Sequence, residues 1–123
     1  RRVVRDVRDR SGGPSEDGPL TLDMLRNWVP HVRTLIHCTP VGMSPKVGES
    51  CVPANLFRPE LTVMDIVYNP RETKLLQEAK AGGCRTISGL EMFLNQAVLQ
   101  FELWTKQPAP VDIMRHVLES RFV

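Results

Sequence analysis

The stretch LTVMDIVYNPRETKLLQEAKAGGCRTIS, residues 61–88, decides the fold. It opens on an apolar run from Leu61 to Val67, short enough to be a buried strand. Asn69-Pro70-Arg71-Glu72 then reads as a helix start, with Asn69 as N-cap, Pro70 at the first helical position and Glu72 at the third. Leu75, Leu76 and Ala79 supply an inward helical face, and Gly82-Gly83 supplies its stop. Arg85-Thr86-Ile87 is a further short strand. Strand, helix and strand in this order form the unit from which a helix-covered parallel sheet is built.

Working toward the N-terminus, Thr34-Leu35-Ile36-His37-Cys38 reads as another buried strand, ending in the non-helical loop Thr39-Pro40-Val41-Gly42-Met43. A proline-spaced stretch with one helical turn at Ala54 to Phe57 joins it to Leu61. Before it, Thr21 caps a helix with Leu22, Met24, Leu25 and Trp28 as its apolar positions, and Pro30 stops it. Residues 11–19, SGGPSEDGP, are linker chemistry. Residues 1–10, RRVVRDVRDR, are either a short strand or half a helix. Their five arginines suit an anion site, such as one for a cofactor phosphate, or more simply a solvated terminus.

Toward the C-terminus, Gly89 opens a long helix with apolar residues at 90, 93, 94, 97, 98, 101 and 104, broken by Pro108 and Pro110. A last helix carries Ile113, Met114, Val117 and Leu118 on one face. The expected fold class is therefore α/β. Strands at 33–38, 61–67 and 84–88 lie adjacent and parallel, as the C-terminal half of a Rossmann-like sheet, and C-terminal helices follow. The organisation expected is a charged, Gly/Pro-rich segment at 1–19, a partial Rossmann-like domain at 20–89, and C-terminal helices at 90–123.

Composition narrows the function. A net charge of +2 over 123 residues argues for no nucleic-acid partner, and no apolar run approaches the length of a membrane span. Cys38, Cys51 and Cys84 are odd in number and show no CxxC spacing, which suits free thiols in a reducing compartment. The three histidines are scattered, so no metal site is expected. The chain begins at Arg1 without methionine, which suits either a segment of a longer protein or removal of the initiator.

Three segments together resemble shikimate dehydrogenase. They are His37-Cys38-Thr39-Pro40-Val41-Gly42-Met43; then Asp65-Ile66-Val67-Tyr68-Asn69-Pro70 with Thr73, Leu75, Leu76 and Ala79 following; then Ser88-Gly89-Leu90-Glu91-Met92-Phe93 with Gln96, Ala97 and Phe101. The third segment is also similar to versions fused to 3-dehydroquinate dehydratase. The resemblance implies a cytoplasmic, NADP-dependent oxidoreductase that interconverts 3-dehydroshikimate and shikimate in chorismate and aromatic amino acid biosynthesis. It implies that Ile66 and Gly89 line the nicotinamide through backbone contacts, with Thr39 and Met43 in the pocket wall. It also implies that Tyr68 and Gln96 hydrogen-bond shikimate. Each of these has a plainer reading: a strand-boundary tyrosine, a solvated amide, a helix-start glycine and a core isoleucine.

His37 departs from the pattern, which has asparagine there. A ring nitrogen replaces only some amide hydrogen bonds, and a catalytic histidine would need an acid or cysteine partner that the sequence does not point to. The resemblance places the catalytic lysine–aspartate pair in an N-terminal substrate domain outside this chain. Ser11-Gly12-Gly13 is not a phosphate loop between a strand and a helix. No catalytic residue is therefore assigned here, and the chain alone is expected to be inactive. Related alternatives are a quinate/shikimate dehydrogenase, or a non-catalytic remnant or binding module of the same fold.

Overall fold

The computed structural model describes residues 2–121. Helices α1 (Arg2–Ser11) and α2 (Leu22–Trp28) precede strand β1 (Thr34–His37). Strand β2 (Thr62–Asp65), helix α3 (Lys74–Ala81) and strand β3 (Arg85–Ile87) follow, then helices α4 (Gly89–Thr105) and α5 (Val111–Arg121). The sheet has the order β1-β2-β3 and is parallel throughout, with Leu35 opposite Val63, His37 opposite Asp65, and Val63 opposite Thr86. This is the expected parallel α/β arrangement, with each strand one or two residues shorter at each end than the expected 33–38, 61–67 and 84–88.

The core lies on one face of that sheet. Leu61, Val63, Leu75, Leu76 and Ala79 are buried together with Val29, Val52, Phe57 and Cys84. Each buried aliphatic side chain contributes roughly 1.5–3 kcal/mol by leaving water. Leu75, Leu76 and Ala79 lie on α3 at the spacing that turns them toward β2 and β3. Gly82 caps α3, and Gly83 follows with φ +79°, a left-handed conformation that glycine adopts without steric cost.

Several expectations need correction. Helix α3 does not begin at Asn69-Pro70. It begins at Lys74 with Thr73 as N-cap, whose hydroxyl accepts the Leu76 N–H at 3.4 Å and donates to Asp65 Oδ2 at 2.6 Å. Thr73 caps the helix while anchored to the end of β2. The Asn69 carbonyl is instead occupied by the Ser44 N–H at 3.0 Å, which ties residues 69–72 to the loop after β1.

Strand β1 is not buried on both faces. Leu35 and His37 face the core, while Ile36 is 57% exposed at the sheet's other face. In α2 the expected apolar positions Leu22 and Trp28 are exposed; the buried residue is Val29, in the 3₁₀ turn Val29–His31 that contains Pro30. Along α4 burial is confined to the first turns, at Leu90 and Leu94, and Trp104 is 75% exposed. In α5 Ile113 and Val117 are likewise exposed. Residues 2–11, ambiguous in sequence, form a helix; the charge run's first residue, Arg1, lies outside the described residues.

Candidate functional site

Ligand sites in open α/β sheets form beyond the carboxyl ends of the strands. A cavity of about 430 Å³ occupies that place beyond β1 and β2. The loop after β1 contributes Cys38, Thr39 and Met43, and the segment after β2 contributes Ile66, Val67, Tyr68 and Asn69. Four candidates from the sequence, Thr39, Met43, Ile66 and Tyr68, therefore share one cavity.

Gly89 opens α4 directly behind this segment. A Cβ built there would lie 2.5 Å from both the Ile66 and the Val67 carbonyl oxygens, closer than real Cβ atoms approach. Only glycine lets the first turn of α4 press against that backbone. The contact fixes α4 relative to the cavity wall, and the Tyr68–Phe93 ring stack reinforces it, with centroids 5.2 Å apart and planes 10° from parallel. Gln96 is exposed, does not line the cavity, and sits nearly one turn past Phe93 on the same helix.

Beneath the cavity floor runs a buried polar network that joins three elements. Asp65, fully buried at the end of β2, accepts the Val67 N–H at Oδ1 over 2.9 Å and the Thr73 hydroxyl at Oδ2 over 2.6 Å. Its Oδ1 also meets His37 Nδ1 at 2.9 Å. On the other side of the ring, His37 Nε2 contacts Thr39 Oγ1, which in turn accepts the Val41 N–H at 3.3 Å. No buried side-chain nitrogen or oxygen among the described residues lacks a partner.

The acid partner that the sequence did not reveal for His37 is therefore Asp65, opposite it in the parallel register. Its signal was present as a lone carboxylate in an apolar strand, since a buried charge must be paired or hydrogen-bonded. His37 is nevertheless 5% exposed, with both ring nitrogens engaged, so it does not reach the cavity itself. Cys51 lies near this network; burial pushes its thiol pKa up, and the Asp65 charge adds to the rise.

The nicotinamide fit can be judged from the residues present. The cavity wall combines the polar side chains of Thr39, Ser44, Tyr68 and Asn69 with the apolar Pro40, Met43, Ile66 and Val67, and Gly89 packs against the carbonyls of Ile66 and Val67. That is the make-up of a site for a flat, mostly apolar ring with a polar substituent. The described lining holds no lysine or carboxylate for proton transfer. A second cleft, of about 470 Å³, lies between α3 and α4. Its Lys80 pairs with Glu72 and its Glu91 with Arg115, so opposite charges there largely satisfy one another. Among the described residues no cluster of three or more metal-ligating side chains occurs, and no helix is long and apolar enough to cross a membrane.

Residues 89–119 match the sequence model of the Shikimate 5'-dehydrogenase C-terminal domain. The shikimate dehydrogenase (NADP(+)) of Dehalococcoides mccartyi strain 195 is 50% identical over 105 residues, which is 85% of this chain and 37% of the relative. The crystal structure of a shikimate 5-dehydrogenase from Listeria monocytogenes, in complex with shikimate and NAD, superposes with a TM-score of 0.86 at 35% identity, covering 94% of this chain and 40% of that one. A quinate dehydrogenase from Corynebacterium glutamicum, in complex with NAD, gives a TM-score of 0.83 at 28% identity, over 97% of this chain and 42% of that one. The chain thus spans about two fifths of the length of the proteins it matches.

Proposed function

We propose that this chain, whose sequence and fold match the C-terminal portion of the shikimate dehydrogenases, forms the nicotinamide-side and part of the substrate-side wall of an NADP-dependent shikimate dehydrogenase. The reaction is the reversible reduction of 3-dehydroshikimate to shikimate, in the cytoplasm. The observation that carries the reading is the single cavity shared by Thr39, Met43, Ile66 and Tyr68, backed by Gly89.

NADP, when bound, supplies or accepts the hydride. The chain's own residues bind and orient. The backbone at Ile66 and Gly89 forms a flat wall for the ring, and the side chains of Met43 and Ile66 exclude water from one side. Hydride transfer demands close, aligned approach, so this positioning is the chain's main contribution to rate. Tyr68, held by its stack on Phe93, offers a hydroxyl at the cavity mouth for the substrate's carboxylate or hydroxyls. Gln96 stands outside the cavity lining, and its assignment to the substrate is supported by the likeness to shikimate dehydrogenases alone. Proton transfer falls to a lysine–aspartate pair on an N-terminal substrate domain, the partner that completes the site.

The likeness to a quinate dehydrogenase supports a second reading with the same cavity and a substrate bearing one more hydroxyl. A chimera joining the N-terminal portion of the Dehalococcoides mccartyi relative to this chain tests both. It should reduce NADP with shikimate, and the chain alone should not. Turnover with quinate but not shikimate would favour the second reading, and no turnover with either would contradict both.

A further inference from the structure

We propose that His37 is a positioning residue. Held by Asp65 as the uncharged ring with its one proton on Nδ1, it accepts a hydrogen bond from the Thr39 hydroxyl at Nε2, so that Thr39 presents the cavity with a lone pair and no donor. The ligand feature this selects is an N–H group, such as the carboxamide of a nicotinamide ring. The orientation of Thr39 stands on the hydrogen bonds alone; the ligand preference rests on the function proposed above.

The argument is an inventory of protons. The Thr73 hydroxyl oxygen accepts the Leu76 N–H, so its single proton goes to Asp65 Oδ2. Asp65 Oδ1 already accepts the Val67 N–H. An ionised carboxylate accepts at both oxygens and donates at neither, so the bond between Oδ1 and His37 places the proton on Nδ1. With the ring uncharged, as the proposal requires, Nε2 is an acceptor and the hydroxyl in contact with it donates. Thr39 Oγ1 gives one lone pair to the Val41 N–H and keeps the other. Thr39 is half-buried and lines the cavity, which is where that lone pair becomes available.

Asparagine, which holds this place in the pattern that the sequence resembles, carries both an amide donor and a carbonyl acceptor. It can turn either toward Thr39. Histidine bound to a carboxylate cannot, so the substitution fixes the polarity of the cavity floor. His37 does so without touching ligand, since it is buried and both its nitrogens are engaged.

The test uses the full 123-residue chain labelled with ¹⁵N at histidine, with His37→Asn assigning the signal among the three histidines. At neutral pH the His37 signals should show a protonated Nδ1 and an unprotonated Nε2. In a second arm, amide shifts at Thr39, Met43 and Ile66 are titrated with nicotinamide and with 3-acetylpyridine, which keeps the carbonyl but replaces the amino group with methyl. The ratio of the two Kd values should favour nicotinamide about fivefold more in the chain than in His37→Asn, the worth of roughly one hydrogen bond. A proton on Nε2, or an equal mixture of tautomers, overturns the orientation of Thr39. An unchanged Kd ratio overturns the ligand preference. If neither compound binds, the reading of the cavity fails and the preference falls with it, while the tautomer still decides the orientation.

Discussion

The α-carbon of Gly89 lies so close to Ile66 that a Cβ would stand 2.5 Å from the Ile66 carbonyl oxygen. The carbonyls of Ile66 and Val67 belong to the same segment that forms one wall of the cavity. The start of α4 and the end of β2 are thus one packed unit, and the shape of the cavity depends on residue 89 having no side chain.

Gly89→Ala should therefore destabilise the chain, although alanine favours helices elsewhere. The obstructing atoms are backbone and cannot rotate away, so relief requires α4 to move. The expected loss is about 1–3 kcal/mol, the range for overpacked sites. A lower urea midpoint at unchanged slope would show it. Equal or greater stability would mean that the close approach is not maintained in solution.

Asp65→Ala should cost more. It leaves the Val67 N–H, the Thr73 hydroxyl and His37 Nδ1 without their acceptor in a buried site. Leaving a buried donor without its acceptor typically costs about 1–3 kcal/mol, and three donors are left so here. Thr73→Ala, which removes the N-cap and one Asp65 contact, should cost about 0.5–2 kcal/mol. Paired denaturation curves test the order: Thr73→Ala proving more damaging than Asp65→Ala would refute the central place given to the carboxylate.

The two C-terminal helices are fastened by Arg115, which donates to both oxygens of Glu91. Its hydrogen bonds, followed by its charge and that of Arg71, hold the Glu91 carboxyl below its ordinary pKa. A lowered folded-state pKa means that the pair's stabilisation is present above the unfolded carboxylate range and is lost as pH falls through the lowered value. Both side chains are about two fifths exposed, so solvent screens the effect and its size is small. Hydrogen exchange of the α5 amides should quicken in acid relative to the core, and Glu91→Gln should remove that pH dependence. An acid response that survives in Glu91→Gln would place its origin elsewhere.

Much of this was legible in the sequence, for identifiable reasons. The strands were readable because short apolar runs lay between strong punctuation, such as Gly82-Gly83 after α3. Leu75, Leu76 and Ala79 were readable because helical spacing tied them to one face. The start of α3 was not, because Asn69-Pro70 has the local chemistry of a cap, and the cap used, Thr73, is chosen by its long-range bond to Asp65. The exposure of Ile36, Trp104, Ile113 and Val117 was illegible for a related reason: periodicity marks an apolar face but not what covers it. The motifs pointed to Thr39, Met43, Ile66 and Tyr68, which share one cavity, and to Gln96, which lies outside it, whereas the partner of His37 emerged only from the register that sets it opposite Asp65.

The most direct measurement compares Tyr68→Phe and Gln96→Ala in the chimera with the Dehalococcoides mccartyi N-terminal portion. Each variant removes a hydrogen-bonding group assigned to the substrate, worth roughly 1–3 kcal/mol. The account predicts that kcat/KM for shikimate falls about tenfold to a hundredfold, while the Kd for NADPH, from fluorescence titration, hardly moves. Wild-type kcat/KM for shikimate in both variants, or a loss confined to NADPH binding, would contradict the assignment of this cavity's mouth to the substrate.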